Sequence, residues 1–167
     1  MVWQNTGLPW HRTSPNIPYA SSPLYYVATG MLGGAAGVDV GIGSDNPFGY
    51  AGGTGVNPGA LAAYVQRLGF PGVRVTPYSR NGFSGVKLNL DPRCPANVTA
   101  LDVFLLAEIN RQTRGRTLAR MSASQISLFN KIYGSPSLRS DLMRGRSPGD
   151  IANSWRGFEN SFRSQRQ

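Results

Sequence analysis

The short polar side chains best placed to bind a ligand lie in a glycine-rich stretch, residues 30–59, which holds 11 of the 21 glycines. Residues 38–42 alternate as in a short strand, and Ser44, Asp45 and Asn46 follow in a turn. Glycines let backbone amides approach another surface, and polar groups at a sheet edge are common in ligand clefts. The stretch therefore predicts a binding cleft, with an irregular surface loop as the alternative.

Other common kinds of site have no signature in the sequence. Neither a GxGxxG nor a GxxxxGK(S/T) pattern occurs, which argues against a nucleotide-phosphate cradle. Cys94 is the single cysteine and His11 the single histidine, so an internal disulfide and the usual zinc ligand sets are excluded. No base is identifiable beside Cys94 to activate it as a nucleophile. The sequence predicts no cofactor and no metal site.

The net charge of +9 comes almost entirely from arginine, since Lys87 and Lys131 are the only lysines among 17 basic residues. Residues after Asn110 hold 11 basic side chains against three acidic ones. Such a surface attracts polyanions, including nucleic acid and anionic cell-wall polymers. Aromatic residues are not interleaved with these arginines as a stacking platform requires, so a solvated basic face is favoured over nucleic-acid binding.

The length and composition are typical of one domain with a single core. A chain of 167 residues with 40% hydrophobic side chains can bury such a core. No apolar run approaches ~18 residues, so no membrane span is predicted. Residues 1–20 form a lead-in segment that lacks the basic start and apolar run of a signal peptide. Either the chain stays inside the cell or its export signal lies elsewhere, and the localisation stays open.

The elements that position these side chains are predicted from periodicity. Residues 72–78 and 83–90 alternate as two strands around an Asn81-Gly82 turn signal. Strands that come early and helices that come late favour an α+β fold, with a small mixed or antiparallel sheet and an all-helical C-terminal third. Helix signals combine a capping residue with an apolar repeat. The predicted helices begin at Ser21, Asn57, Thr99, Ser122, Ser135 and Ser147, and the last runs through Phe162.

Six short blocks in a fixed order resemble the C-terminal domain of the bacterial exo-β-N-acetylmuramidases, a family long described as a domain of unknown function. One is SPNIP at residues 14–18, and another is GIGS at residues 41–44 with Pro47-Phe48 after it. No block is specific alone, but their order and spacing extend over nearly the whole chain. The blocks lie within residues 10–18, 41–48, 68–74, 83–91, 133–139 and 151–166.

The resemblance implies a peptidoglycan-related function for residues 1–167 as a single domain. In that family a preceding Rossmann-like catalytic domain supplies much of the active site, and the two domains form a cleft that removes terminal N-acetylmuramic acid from peptidoglycan fragments. The expected partners are therefore a separate N-terminal Rossmann-like half and a glycan that contains muramic acid. Three positions depart from the family pattern: Gly34 and Gly49 stand where Glu is usual, and Ile42 stands where Arg is usual.

Glycosidases normally need two carboxyl groups, roughly 5–10 Å apart. Among the eight acidic residues, Asp39, Asp45 and Asp91 are the candidates for a cleft. Asp102 and Glu108 fall on a predicted helix and are expected to be structural. No convincing pair results, so no catalytic residue is assigned, and hydrolysis is expected only together with an N-terminal half.

The polar side chains of Ser14, Asn16 and residues 44–46 are predicted to orient a sugar. The alternative for each is a role in a turn or a helix cap. Arg93 is expected to bind a lactyl carboxylate or a phosphate. The alternative function is a non-catalytic module that binds cell-wall glycan or another protein and kept the fold without the chemistry. The predicted substrate-binding residues are Ser14, Asn16, Ser44, Asp45, Asn46 and Arg93.

Overall fold

The part of the chain that the computed structural model describes, residues 3–94 and 96–166, contains a four-stranded sheet. Met1, Val2, Pro95 and Gln167, which fall within the predicted single domain, lie outside the described residues. The strands are β1 (Val38–Asp39), β2 (Tyr50–Gly53), β3 (Val73–Arg80) and β4 (Phe83–Leu90). Their order is β1-β2-β4-β3, with antiparallel pairing throughout. The predicted α+β class and small sheet are confirmed.

The hairpin of β3 and β4 has the longest pairing in this sheet. Its register ends with Arg80 opposite Phe83. Asn81 and Gly82 between them have φ of 51° and 83°, the left-handed backbone that a tight Asn-Gly turn requires. Both predicted strands and their turn are therefore confirmed.

Alternation along these strands places the apolar side chains on one face of the sheet. Val75, Val86 and Leu88 are buried there, and α2 (Pro58–Leu68) packs over β3 and β4. Next comes α3 (Val98–Gln112), which packs against α2 and is buried along most of its length. The core therefore lies between the inner face of the sheet and these two helices.

Some of the other helices contact α3 directly. Both α1 and α7 contact it, and a short 3-10 turn, Leu32–Gly34, follows α1. The C-terminal third is helical, as predicted. The bounds are α1 (Ser22–Thr29), α4 (Arg116–Ala119), α5 (Ala123–Tyr133), α6 (Ser137–Met143), α7 (Pro148–Ser154) and α8 (Arg156–Gln165).

Three of the six predicted helix starts are confirmed by side-chain capping hydrogen bonds. Asn57 caps α2, Ser122 forms a capping box at α5, and Ser147 caps α7. The predicted start of α3 at Thr99 is wrong, because the cap is Asn97, whose side chain accepts the N–H of Ala100 at 2.9 Å. Asparagine is the stronger N-cap of the two.

Two further expectations are corrected by the structure. The last predicted helix is divided at Trp155 into α7 and α8. The strand predicted over 38–42 ends at Asp39, because Gly41 has φ of 80° and turns the chain. The sequence Tyr-Ala-Gly-Gly of β2 gave no strand signal, since glycine and alanine are poor strand formers.

The lead-in segment, from residue 3 onward, is fixed by aromatic contacts. The rings of Trp3 and Trp10 meet edge to face, with centroids 5.4 Å apart. Trp10 Nε1 donates to the carbonyl of Pro18 at 3.1 Å, and Ile17 packs against the core. This segment therefore leads directly into α1.

Candidate functional site

The turn after β1 is held together by its own polar groups. Asp39 Oδ1 accepts the N–H of Gly41 at 2.7 Å, and Ser44 Oγ donates to the carbonyl of Gly41 at 2.7 Å. Ser44 Oγ also accepts the N–H of Asn46 at 3.2 Å. These local bonds give residues 39–46 a defined shape at the edge of the sheet.

Three aromatic rings from three strands meet beside this turn. The Tyr50 centroid lies 4.9 Å from that of Tyr78 and 6.0 Å from that of Phe83, and the last two are 5.9 Å apart. Tyr50 pairs with Lys87 and Tyr78 with Gly85, and residues that pair across strands share a face. Since Val86 points into the core, the rings lie on the face opposite α2.

Glycines permit this close packing. A Cβ at Gly41 would overlap the Tyr50 ring. A Cβ at Gly52 would lie 2.7 Å from Cα of Gly85 and 2.8 Å from Cζ of Phe83, distances that real Cβ atoms do not show. The β2–β4 pair and the ring above it therefore require glycine at position 52.

The turn and the three rings line a cavity of about 540 Å³, here named the outer-sheet cavity. This volume lies within the usual range of small-ligand pockets. Its charged groups are Asp39, Asp45 and Arg80, and Ile42 lies at its edge, 57% exposed. Among the described residues no carboxylate lies within 4.0 Å of the Arg80 guanidinium. The cavity thus combines apolar ring faces with both signs of charge.

Tyr50 connects the aromatic cluster to the turn. It is only 5% exposed, and its hydroxyl donates to Asp45 Oδ1 at 3.3 Å. Burial and the adjacent Asp45 carboxylate raise the pKa of Tyr50. The hydroxyl therefore stays protonated at neutral pH and positions Asp45 at the cavity wall.

The structure places the predicted binding residues in different locations. Ser44 and Asp45 line the outer-sheet cavity, whereas Asn46 does not. The Asn46 side chain instead occupies the space that a Cβ at Gly49 would need. Residues 14–17 form a separate tight turn, in which the Ser14 hydroxyl accepts the N–H of residue 16 at 3.0 Å. Neither Ser14 nor Asn16 is among the lining residues, and a sugar contact by either stays a prediction.

Arg93 is engaged within the chain. Its Nε and Nη2 donate to the two carboxylate oxygens of Asp91, both at 3.0 Å. The hydrogen bonds from Arg93 lower the pKa of Asp91 to about 2. This bidentate geometry is the one that a ligand carboxylate would need, so a ligand at Arg93 would compete with Asp91.

Sequence reasoning missed five residues of the outer-sheet cavity, including Tyr50. Arg80 and Asn81 stand at the end of the alternating β3 pattern, which was a usable signal because strand ends border clefts. Tyr78 and Phe83 share that hairpin and flank its turn. Their meeting with Tyr50 depended on the unpredicted strand β2, so the aromatic cluster had no signal in the sequence.

A second cavity, of about 560 Å³, lies between α1, the first turns of α3 and the helices α5, α6 and α7. It is here named the helical cavity. Asp102 borders it and is completely buried, and its Oδ2 accepts the N–H of Met31 at 3.0 Å. Burial raises the pKa of Asp102 well above its usual range.

Glu108, on the same helix, is satisfied within the chain. Arg111 donates to its two oxygens at 2.8 and 2.7 Å, and Gln112 adds a third hydrogen bond at 2.8 Å. Burial opposes its ionisation, but these hydrogen bonds outweigh burial and lower the pKa of Glu108. Glu108 therefore has the structural role expected for it.

Two kinds of site are not found in residues 3–94 and 96–166. No group of three or more His, Cys, Asp or Glu side chains is arranged to hold a metal ion. No helix in this part of the chain has the length and apolar character to cross a membrane.

The family model described as exo-beta-N-acetylmuramidase NamZ, C-terminal, matches residues 24–167. The chain is also similar to the crystal structure of a DUF1343 family protein from Bacteroides fragilis, with a TM-score of 0.87 and 23% sequence identity. That match covers 98% of this chain but 45% of the Bacteroides chain, so this chain spans less than half of its structural relative. No curated protein matches the sequence.

Proposed function

Because the chain belongs to the family of the C-terminal domain of exo-β-N-acetylmuramidase NamZ, we propose that it forms the substrate-binding part of an exo-muramidase-like enzyme. The proposed site is the outer-sheet cavity. The observation that carries the proposal is the meeting of three aromatic rings, Arg80 and the polar turn of residues 39–46 in one cavity of about 540 Å³.

The rings supply the contact that a sugar ring prefers. Tyr78 and Phe83 are half-buried, so each keeps part of its surface open to the cavity. An apolar ring surface packs against the C–H face of a pyranose, while polar groups around it fix the orientation. Ser44, Asp45 and Asn81 are the polar groups available in the wall.

Arg80 is the proposed partner of the lactyl carboxylate that distinguishes muramic acid from other sugars. Its guanidinium has no ion-pair partner among the described residues. Arginine binds carboxylates in bidentate geometry with charge-assisted hydrogen bonds. Arg80 therefore takes the role that the sequence suggested for Arg93, which Asp91 already engages.

The acids that break the glycosidic bond are proposed to come from an N-terminal partner half. Asp39 and Asp45 line the cavity, but both are engaged within the chain. Asp39 accepts a hydrogen bond from the N–H of Gly41, and Asp45 accepts one from the hydroxyl of Tyr50. Both carboxylates therefore shape the cavity. The 45% coverage of the Bacteroides chain leaves more than half of that relative for other segments, which supports a two-part enzyme.

The proposal is tested by reconstitution. A chromogenic N-acetylmuramide is incubated with the chain alone and with a separately expressed N-terminal half from the same genome. Hydrolysis is expected only with both halves, and binding of N-acetylmuramic acid by the chain alone is expected to be measurable by calorimetry. Absence of both hydrolysis and binding would contradict the proposal.

A non-catalytic glycan-binding module is the second candidate. Its support is the exposed apolar Ile42 at the cavity edge, where the family usually has Arg. In the same reconstitution, this candidate predicts binding of the muramyl sugar without turnover, even with the N-terminal half present. Turnover would exclude it.

A further inference from the structure

A third cavity, of about 310 Å³, lies beside the short helix α4 and is here named the α4 cavity. Its lining includes Arg116 and Arg120 from α4 and its C-terminal end, Thr54 from the turn after β2, and the backbone at Gly37. Among the described residues that line it, the two arginines are the only charged ones. The α4 cavity therefore presents positive charge alone, which attracts an anion.

Neither arginine is neutralised by a carboxylate in the described part of the chain. The ion pairs found there all involve other arginines. Arg116 Nε donates to the carbonyl of Thr113 at 3.0 Å, which fixes the guanidinium and leaves its two Nη groups for a ligand. Arg120 is exposed, and its backbone N–H makes its one hydrogen bond within residues 3–94 and 96–166. Most guanidinium donors of this pair are therefore unused.

The two arginines are neighbours on one helical turn. The N–H of Arg120 donates to the carbonyl of Arg116 at 3.0 Å, and residues four apart in a helix lie on the same face. Like charges at this spacing repel each other. An anion that binds both side chains would offset this repulsion, so the pair suits one shared anion.

The threonines of the lining differ in whether their hydroxyl protons are already used. Thr113 Oγ1 donates to the carbonyl of Ile109 at 2.9 Å and lies 2.9 Å from Thr117 Oγ1. Because each hydroxyl has one proton, Thr117 donates its own to Thr113. Thr54, by contrast, is exposed and borders the cavity. The Thr54 hydroxyl is therefore the one that can donate to a ligand.

The Arg116 guanidinium reaches toward the turn that carries Thr54. Its Nη2 atom lies 3.8 Å from the position of a Cβ built at Gly55, the residue after Thr54. The charged group of α4 and the turn after β2 therefore lie close enough to contact one small ligand.

We propose that the α4 cavity binds the phosphate group of a phosphate ester, whose oxygens accept hydrogen bonds from Arg116, Arg120 and Thr54. A single arginine fork satisfies the two oxygens of a carboxylate, whereas two forks and a hydroxyl match the larger set of phosphate oxygens. The volume of about 310 Å³ admits a phosphate and the first atoms attached to it. This site is separate from the outer-sheet cavity and does not depend on the function proposed for it.

The test uses the full chain, labelled with ¹⁵N, and inorganic phosphate as the probe in ~0.15 M NaCl, which screens non-specific attraction. The expected result is a saturable shift of the backbone N–H signals of Gly37 and Thr54, with a Kd in the millimolar range or below. The indole signals of Trp10 and Trp155 serve as internal controls and are expected to stay in place. No shift, or a shift without saturation up to ~50 mM phosphate, would overturn the proposal.

Matched arginine variants separate a specific site from general attraction by a basic surface. Arg120→Gln changes an exposed side chain, so it is expected to fold and to weaken phosphate binding about tenfold. Arg114→Gln is the control, because it removes the same charge from an exposed residue that does not line the cavity. Its affinity is expected to be unchanged. Equal weakening by both variants, or unchanged binding by Arg120→Gln, would overturn the proposal.

A comparison of ligands tests the chemical class and its source. Acetate is expected to bind at least about tenfold more weakly than phosphate, and equal binding would overturn the assignment to phosphate. Glycerol phosphate represents a phosphorylated small molecule, and glycerophosphoglycerol represents a phosphodiester-linked polymer. Tighter binding of the first would identify the ligand as a monoester, and binding of the second at least as tightly would identify it as a diester. Binding of neither ester would overturn the proposal.

Discussion

The outer-sheet cavity and the helical cavity have nearly the same volume, about 540 and 560 Å³, but opposite electrostatic character. The first exposes Arg80 without a carboxylate partner among the described residues. The second pairs its arginine with Asp141 and contains the buried Asp102, whose pKa is raised well above its usual range by burial. The difference shows that the charge a cavity presents depends on which charged side chains remain unpaired, because the charges of paired groups of opposite sign largely cancel.

The two cavities also differ in how the chain assembles them. The outer-sheet cavity is built from two short stretches, residues 39–50 and 78–83. The helical cavity draws on residues from Tyr26 to Trp155, across five helices and their junctions. A local change is therefore expected to damage the first cavity alone, whereas the second depends on the packing of the helical third as a whole.

The largest effect is expected at Gly52, which fixes the geometry of the outer-sheet cavity. Gly52→Ala places a Cβ 2.7 Å from Cα of Gly85 and 2.8 Å from Cζ of Phe83. Because both atoms belong to the paired strands, the backbone or the ring must move. We expect a loss of about 2–3 kcal/mol in the free energy of unfolding, measured by urea denaturation.

Gly157 in α8 is the matched control for that substitution. No heavy atom lies within 4 Å of a Cβ built there, so Gly157→Ala is expected to be neutral or stabilising by up to ~1 kcal/mol. In Gly52→Ala, the indole N–H signal of Trp155 in an NMR spectrum is expected to stay in place, which would indicate an intact helical cavity. If both glycine variants were equally stable, the close approach of β2 and β4 would not be the constraint described.

Much of the fold was visible in the sequence because it rests on local signals. The β3–β4 hairpin follows from alternation and an Asn-Gly turn, and the caps at Asn57, Ser122 and Ser147 follow from side-chain chemistry. Strand β2 was missed, because Tyr-Ala-Gly-Gly forms a strand only by pairing with β4, a partner more than 30 residues away. Tertiary pairing overrode a weak local propensity there.

The candidate sites were predictable only where they are local. Ser44 and Asp45 line the outer-sheet cavity because their turn follows a strand directly, and a ligand contact by either residue stays a prediction. The sequence favoured Arg93 over Arg80 as the carboxylate-binding residue, since it does not reveal that the Arg93 guanidinium donates two hydrogen bonds to Asp91. Asp102 was expected to be structural, and its burial against the backbone of Met31 depends on the packing of α1 against α3, which the sequence does not specify.

The next largest effect is expected at Arg80, where a change would test the proposed binding of the acidic sugar by this arginine. Arg80→Gln removes the charge but keeps a polar, shorter side chain. We expect it to weaken binding of N-acetylmuramic acid about tenfold or more, because charge-assisted hydrogen bonds are among the stronger ones. Arg93→Gln is the matched control, with unchanged affinity expected in calorimetry. The reverse result would restore Arg93 as the carboxylate-binding residue.

Asp102 predicts a pH dependence that is specific to the helical region. Its folded pKa is raised above the unfolded value of about 3.9, so the folded state binds more protons than the unfolded state. Stability should therefore fall as the pH rises above ~4, by at most about 1.4 kcal/mol per pH unit, until the folded pKa is passed. Asp102→Asn removes this slope. Urea denaturation of both proteins between pH ~4 and ~7 would show the difference, and parallel curves would contradict a raised pKa of Asp102 in the folded state.

The smallest effect is expected at Asp91, and its sign is opposite to that of Asp102. The folded pKa of Asp91 is about 2, below the unfolded value of about 3.9, so its contribution is present above pH ~4 and is lost as the pH falls toward ~2. Because Arg93 is largely exposed, solvent screens this pair. We expect Asp91→Asn to reduce the pH dependence of the free energy of unfolding only below pH ~4. Arg93→Gln is expected to have the same effect, and the double variant is expected to show no further change. If Asp91→Asn instead altered the curve above pH ~5, the ion pair with Arg93 would not be the cause of the low pKa.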